Sequence, residues 1–165
     1  MIDQVTTYAK AIVSKKILAG KKVMQACKRH LDDLEKSEQD DFPYYFDVRK
    51  SEAVIKFIGS LPNPDDGKPM TLINYQAFII GSLFGWKKKE TGYRRFTMAV
   101  ISMARKQGKS IIVAGTALYM LRYEKTPLVA RQIYTAANKR DQAKVTFNYA
   151  VAFLAVSYTH LRAHE

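Results

Sequence analysis

The sequence predicts an α/β fold in its second part, preceded by a helical extension. Three observations carry this reading: apolar residues at helical spacing through the first 40 positions, a proline cluster at 61–69, and strand-like and helix-like runs that alternate after it. In the extension, Val5, Tyr8 and Ile12 fall on one helix face, and Val23, Ala26, Cys27, Leu31 and Leu34 on another. Ala19 and Gly20 separate the two. The acidic stretch EQDDFPYY closes this unit, because Pro43 lacks the N–H that a continuing helix needs. Ser51 followed by Ala53, Val54, Phe57 and Ile58 opens a further helix. The nine residues LPNPDDGKP then hold three prolines and a glycine, which predicts a boundary between a helical part, 1–66, and a second part, 67–156.

Beyond that boundary, 76–86 is an apolar helix-like run ended by the triplet Lys87, Lys88 and Lys89. The segment RFTMAVISM at 95–103 is rich in strand formers, and 110–123 has helical length and spacing. Pro127 interrupts, and 129–135 again reads as a strand, so the expectation is a βαβ unit. A last amphipathic helix is expected at 139–154, where Ala143, Phe147, Ala150 and Leu154 align.

Charge divides at the same place. Residues 1–66 hold 11 Lys/Arg and 11 Asp/Glu, whereas 67–165 hold 16 and 4, so the second part carries the whole formal charge of +12. A basic excess favours polyanionic partners, since phosphate neutralisation releases counterions, and equally describes a solvated basic face. A single cysteine, Cys27, excludes an internal disulfide and any CxxC metal site, leaving buried packing as its expected role. The opening MIDQVTTYAK has no basic segment followed by an apolar one, so no secretory signal is expected and the chain reads as intracellular. The uncharged stretches 111–121 and 145–161 are shorter than the roughly 20 residues of a membrane span.

Between the first expected strand and its helix lies ARKQGKS, 104–110. Binding a phosphate tail requires inward backbone N–H groups, a helix N-terminus, a cation and a hydroxyl for Mg²⁺. Gly108 lets the backbone approach closely, Lys109 is placed to reach the β and γ phosphates, and Ser110 to coordinate the metal. Met103 occupies the position of the first glycine in G-x-x-x-x-G-K-[ST], so the common pattern is not met and the tripeptide alone is a weak signal. The competing reading is a polar turn with Ser110 as a capping residue and Lys109 in solvent.

The flanking residues make the segment specific. A loop of the form aRKxGKS resembles the Walker A segment of tailed-phage terminase large subunits, and Ala104, Arg105, Lys106, Gly108, Lys109 and Ser110 match it. Upstream, Leu72, Tyr75, Gln76, Phe78, Ile79, Phe84, Gly85 and Trp86 resemble the family's adenine-contacting segment. Downstream, TAANKRDQA at 135–143 is similar to the family's following strand and helix, and VMQACKRHLDDLEK with FPYYFD to its helical extension. The resemblance implies the first βαβ portion of a P-loop NTPase of RecA/ASCE-like fold with an incomplete sheet. It implies ATP and Mg²⁺ as cofactors, Gln76 on adenine, 104–110 including Gln107 on the phosphates, and Arg105 as a charge stabiliser during transfer. From the residues alone, Gln76 suits the edge of adenine because its amide both donates and accepts, but also reads as a surface glutamine. Arg105 could equally pair with a carboxylate. Trp86 and Phe84 read as core, and Lys87, Lys88, Lys89, Arg94 and Arg95 either face DNA or form a solvated loop. Implied partners are double-stranded DNA, a portal protein and a small terminase subunit. A homo-oligomeric ring in the full-length form and a place in the cytoplasm of a bacterial host, encoded by phage or prophage, are implied likewise.

An ATPase further needs an acidic pair after a buried strand. After residue 110 the only acids are Glu124, Asp141 and Glu165, none following a strand-like apolar run, so a fragment without Walker B, catalytic glutamate or nuclease is expected. The ending from residue 157 does not resemble the family and looks like translated adapter read-through, a non-native tail. His160 and His164 are spaced i and i+4, but HLRAHE is not H-E-x-x-H and no third ligand is evident. Two other readings compete with the motor: a helicase-like ATPase, and a basic DNA-binding module in which GKS is incidental.

Overall fold

The computed structural model describes residues 3–64, 66–124 and 131–162, the last seven of these as backbone only. The chain forms two compact units, 1–55 with 72–100, and 56–71 with 101–165. This packing division falls elsewhere than the compositional boundary near residue 66, which follows charge and proline content.

In the first unit, α1 (Gln4–Val13) begins where the Asp3 carboxylate accepts from Thr6 N–H at 2.9 Å, and α2 (Lys21–Lys36) follows a short turn. Both helices lie where the apolar spacing places them. Next come β1 (Tyr44–Phe46), α3 (Val48–Ser60), α4 (Asn74–Gly85) and β2 (Trp86–Lys88). The division between units falls within α3. That helix starts three residues before the predicted Ser51, because the Asp47 carboxylate accepts from Lys50 N–H.

Helix α1 packs against α2 and α4 around Val5, Ala9, Ile12, Cys27, Ile55, Ala77 and Phe78. The approach of α4 is close: a Cβ on Gly81 would stand 2.4 Å from Val5 Cγ2 and 2.5 Å from Ser51 Oγ. Only a glycine leaves room there. Cys27 takes the buried packing role expected of it, and burial pushes its thiol up to about 11.

Strands β1 and β2 pair antiparallel, with Tyr44, Tyr45 and Phe46 opposite Lys88, Lys87 and Trp86. Pairing draws Trp86 out of the predicted helix 76–86, which ends one residue earlier at Gly85. A Cβ on Gly85 would lie 2.4 Å from the Phe46 ring, so the strand pair closes against a bare backbone.

The second unit contains α5 (Lys109–Tyr123) and α6 (Arg140–Arg162), packed on each other. Its core is Leu61, Ala114, Leu118 and Phe153, flanked by Phe57, Met70, Ile111, Tyr149 and Ala150. Gly115 brings α5 within 3.2 Å, measured from an added Cβ, of Ile58 and Leu61. The helices expected at 110–123 and 139–154 are both present, the second continuing through Arg162.

The expected βαβ strands are a different matter. Residues 96–104 and 131–137 have no regular secondary structure, and 129–130 lie outside the described residues. Strand propensity measures fit to a paired, half-buried pleat, and no ladder partner reaches these segments among the described residues. Met98 and Val100 stand 82% and 90% exposed in consequence. The fold is therefore helix-rich with one small antiparallel sheet, consistent with part of an α/β domain.

Candidate nucleotide site

The segment 104–110 enters α5 through a turn with two left-handed residues, Lys106 at φ 63° and Gly108 at φ 73°. Gly108 adopts this conformation without penalty. Lys106 carries a Cβ and pays about 1–2 kcal/mol for it. Gly108 in the left-handed region followed by helical Lys109 is the alternation that gathers successive N–H groups into an anion-binding concavity. The first backbone bond of the helix is Ile112 N–H to Gly108 O, 2.9 Å, so the donors ahead of it belong to the helix's unsatisfied first turn. Lys109 and Ser110 are the first two helical residues. Lys109 is exposed and Ser110 half-buried at the helix mouth.

Ala104, Arg105, Lys106 and Gln107 are exposed, and Met103, in place of the usual glycine, is half-buried. No ion pair to Arg105 occurs among the described residues. No acidic residue lies in the turn. The segment brings together three cations, a hydroxyl and a helix N-terminus, all favouring an anion.

Gln76 belongs to the first unit, whereas 104–110 belong to the second. It occupies the first turn of α4, where its Oε1 accepts from Ile73 N–H at 3.1 Å. A carboxamide oxygen has a second lone pair, so this cap and a contact to a purine edge are compatible. Ile73 has no side-chain acceptor to reciprocate.

The basic group at 87–95 is committed mostly within the first unit. Lys87 is buried and partnered, and Lys89 Nζ donates to Gln39 O at 2.7 Å. The Arg94 guanidinium lies 5.1 Å from the Phe84 ring centroid. Arg95 makes a 2.7 Å ion pair with Asp33 and lies over Tyr44 at 4.3 Å. Lys88 and Lys89 are the two of the five that stand exposed. Flanking aromatics and Asp33 take up Arg94 and Arg95, and Lys87 is buried, so a wholly solvated loop does not describe these three.

Trp86 and Phe84 are core residues, as expected. Beneath them sequence reasoning missed a polar network. Trp86 Nε1–H donates to His30 Nδ1 at 3.1 Å, and His30 Nε2 meets Thr6 Oγ1 at 3.0 Å. An indole N–H only donates, so Nδ1 must accept and the imidazole proton sits on Nε2. Burial holds the His30 pKa down to about 4, against opposing pulls from Asp3 and Asp33. His30 falls three residues after Cys27 and four before Leu34, on the apolar face of α2, so its spacing carried the signal that its polarity masked. Among the described residues no three His, Cys, Asp or Glu side chains could hold a metal ion, and the His160 and His164 side chains lie outside them.

The model of the terminase large subunit ATPase domain matches residues 74–161. The chain belongs to the terminase large-subunit family. The match starts at the first residue of α4 and takes in Gln76 and the whole of 104–110. It also includes 157–161, within the ending that reads as unlike the family. No curated protein and no solved structure matches the chain. Of the three sequence readings, the family match favours the terminase over the helicase-like ATPase and the basic module. Among the described residues no helix is long and apolar enough to cross a membrane.

Proposed function

We propose that this part of a terminase ATPase domain binds Mg²⁺-ATP through residues 104–110. The observation that carries the reading is left-handed Gly108 opening α5 directly onto Lys109 and Ser110, inside the matched region. N–H groups at the helix mouth and the Lys109 ammonium supply positive potential for the β and γ phosphates. The Ser110 hydroxyl is the residue to share Mg²⁺ with the nucleotide, and the metal's chemistry there is charge neutralisation between phosphate oxygens. In the full-length protein exposed Arg105 would stabilise charge on the transferring phosphoryl group, and family resemblance supports Gln76, which belongs to the first unit, as an adenine contact. Ala104, Lys106 and Gln107 shape the loop.

The chain's own residues include no acidic pair after an apolar strand, so ATP is bound without appreciable turnover. For the full-length protein, family resemblance supports a phage- or prophage-encoded motor in the host cytoplasm. It translocates double-stranded DNA as a homo-oligomeric ring, engages portal protein and small subunit, and cuts the DNA with a separate nuclease domain.

Titration of the 165-residue chain with a fluorescent ATP analogue in Mg²⁺ tests the site. Lys109→Ala and Ser110→Ala are each expected to weaken binding at least tenfold. Binding unchanged in both variants would overturn the assignment.

A further inference from the structure

The even charge count of residues 1–66 conceals a segregation. Residues 4–31 hold seven Lys/Arg and no Asp/Glu, whereas 32–66 hold four Lys/Arg and ten Asp/Glu. The basic stretch runs from the first residue of α1 well into α2, and Lys15, Lys16, Lys21 and Lys22 stand exposed in and beside the turn between the helices. Among these lysines the turn carries an apolar tip. Leu18 is 94% exposed, and Val13, Ile17, Val23 and Met24 are also open to solvent. The turn is built rather than loose. Lys15 N–H bonds Ile12 O at 3.0 Å and Lys16 N–H bonds Ala11 O at 2.9 Å, the two crossed bonds of a Schellman cap. Its left-handed position is held by Lys15 at φ 60°, where glycine is usual, so the cap tolerates strain to keep a lysine there.

Neither helix stability nor local pairing accounts for the lysines. Lys21 and Lys22 open α2, where the helix dipole disfavours cations. No ion pair to Lys15, Lys16, Lys21 or Lys22 occurs among the described residues. The flanking acids in sequence are Asp3, which caps the start of α1, and Asp32 in α2. Each stands about 15 Å along its helix from the turn, beyond a Debye length of about 8 Å, so neither neutralises it.

We propose that the α1–α2 turn is a peripheral contact for an anionic lipid surface. Leu18 touches almost nothing of its own chain, and a fluid interface takes up such a tip without a preformed pocket. The lysine stems follow it into the acyl boundary while their ammonium groups stay at the level of the headgroup phosphates. Four cations add their attraction to a negatively charged leaflet, and no acid within the turn opposes them. A nucleic-acid backbone would accept the lysines but has no use for Leu18 and Ile17. The cations around the tip are all lysines, moreover, and none is the arginine suited to bidentate phosphate recognition.

Co-sedimentation of the 165-residue chain with phosphatidylcholine vesicles, with and without phosphatidylglycerol, tests this. Binding is expected only where phosphatidylglycerol is present, and it should weaken with salt. Leu18→Ser leaves the charge unaltered and should weaken binding about tenfold. Lys21→Glu with Lys22→Glu should weaken it at least as much. Because the whole chain carries a formal charge of +12, the same charge change at exposed Lys139 and Lys144 is the control, and should leave vesicle binding nearly unaltered. Leu18→Trp should bind more tightly, a gain that misfolding cannot produce. Its emission should shift to the blue on vesicle addition, since Trp86 is already buried. Absence of binding to phosphatidylglycerol vesicles, binding indifferent to both changes at Leu18, or an equal loss in the Lys139 and Lys144 control would overturn the proposal. So would a Leu18→Ser chain that loses binding to double-stranded DNA and keeps binding to vesicles, since the tip would then serve a nucleic acid.

Discussion

The two units use polar groups in opposite ways. In the first, a set of polar side chains is buried and paired, His30 between Trp86 and Thr6, Asp33 on Arg95, and Glu52 accepting from the backbone N–H and side-chain amide of Gln4, while among the described residues the Ser51 and Ser82 hydroxyls are buried without a partner. In the second, the polar residues of 104–110 stand mostly in solvent on a turn with two left-handed residues. A satisfied network fixes a scaffold, whereas unengaged cations at a helix N-terminus stay available to a ligand. Rigidity and binding capacity are thus separated along the chain, and this separation can be attacked from either side.

The strongest attack is on the first unit's centre. Trp86→Ala deletes an indole that is 2% exposed and leaves His30 Nδ1 without its donor, and should cost about 4 kcal/mol in chemical denaturation. A loss below about 1 kcal/mol would mean the network is not the scaffold. Next is pH. The folded pKa of His30, about 4, lies below the ordinary 6.5, so the unfolded chain binds the extra proton first. Its contribution is fully present above about pH 6.5 and declines as pH falls toward 4, by on the order of 3 kcal/mol. Replacing His30 with Leu should flatten that part of the stability profile, and an unaltered slope would assign it to other groups.

Arg95→Ala strands the nearly buried Asp33 carboxylate and empties the space over Tyr44, with an expected loss of about 2 kcal/mol and no direct effect on nucleotide binding. In the second unit the stability effects are smaller and the functional ones larger. Gly108→Ala forces a Cβ into the left-handed region at about 1 kcal/mol, and should abolish detectable binding of the ATP analogue. Lys106→Gly relieves the same strain and should stabilise by at most about 1 kcal/mol, read as a small rise in the denaturation midpoint. A destabilising Lys106→Gly would mean its side chain is held by contacts that outweigh the strain.

Local chemistry was legible because it depends on neighbours in the chain. Apolar spacing located α1, α2, α4, α5 and α6 to within a few residues, except for the C-terminal end of α6, and Gly108-Lys109-Ser110 falls at the start of α5 as its order requires. The flanking pattern around Gln76 and Arg105 named the family that the match at 74–161 supports. What escaped depends on partners distant in sequence. The run at 95–103 has strand formers but no ladder, and the YYF and WKK segments, three residues each, form strands only because they meet.

By itself, then, the sequence determined helix periodicity, the glycine turn that opens α5 and kinship, since each is written in spacings of a few residues. Only the tertiary structure decided that His30 is neutral and buried, that Arg94 and Arg95 are spent on Phe84 and Asp33, and that Lys87 is inside. Burial and pairing are set by groups some 10 to 60 positions away, and no local pattern encodes the desolvation that fixes a proton or engages a charge.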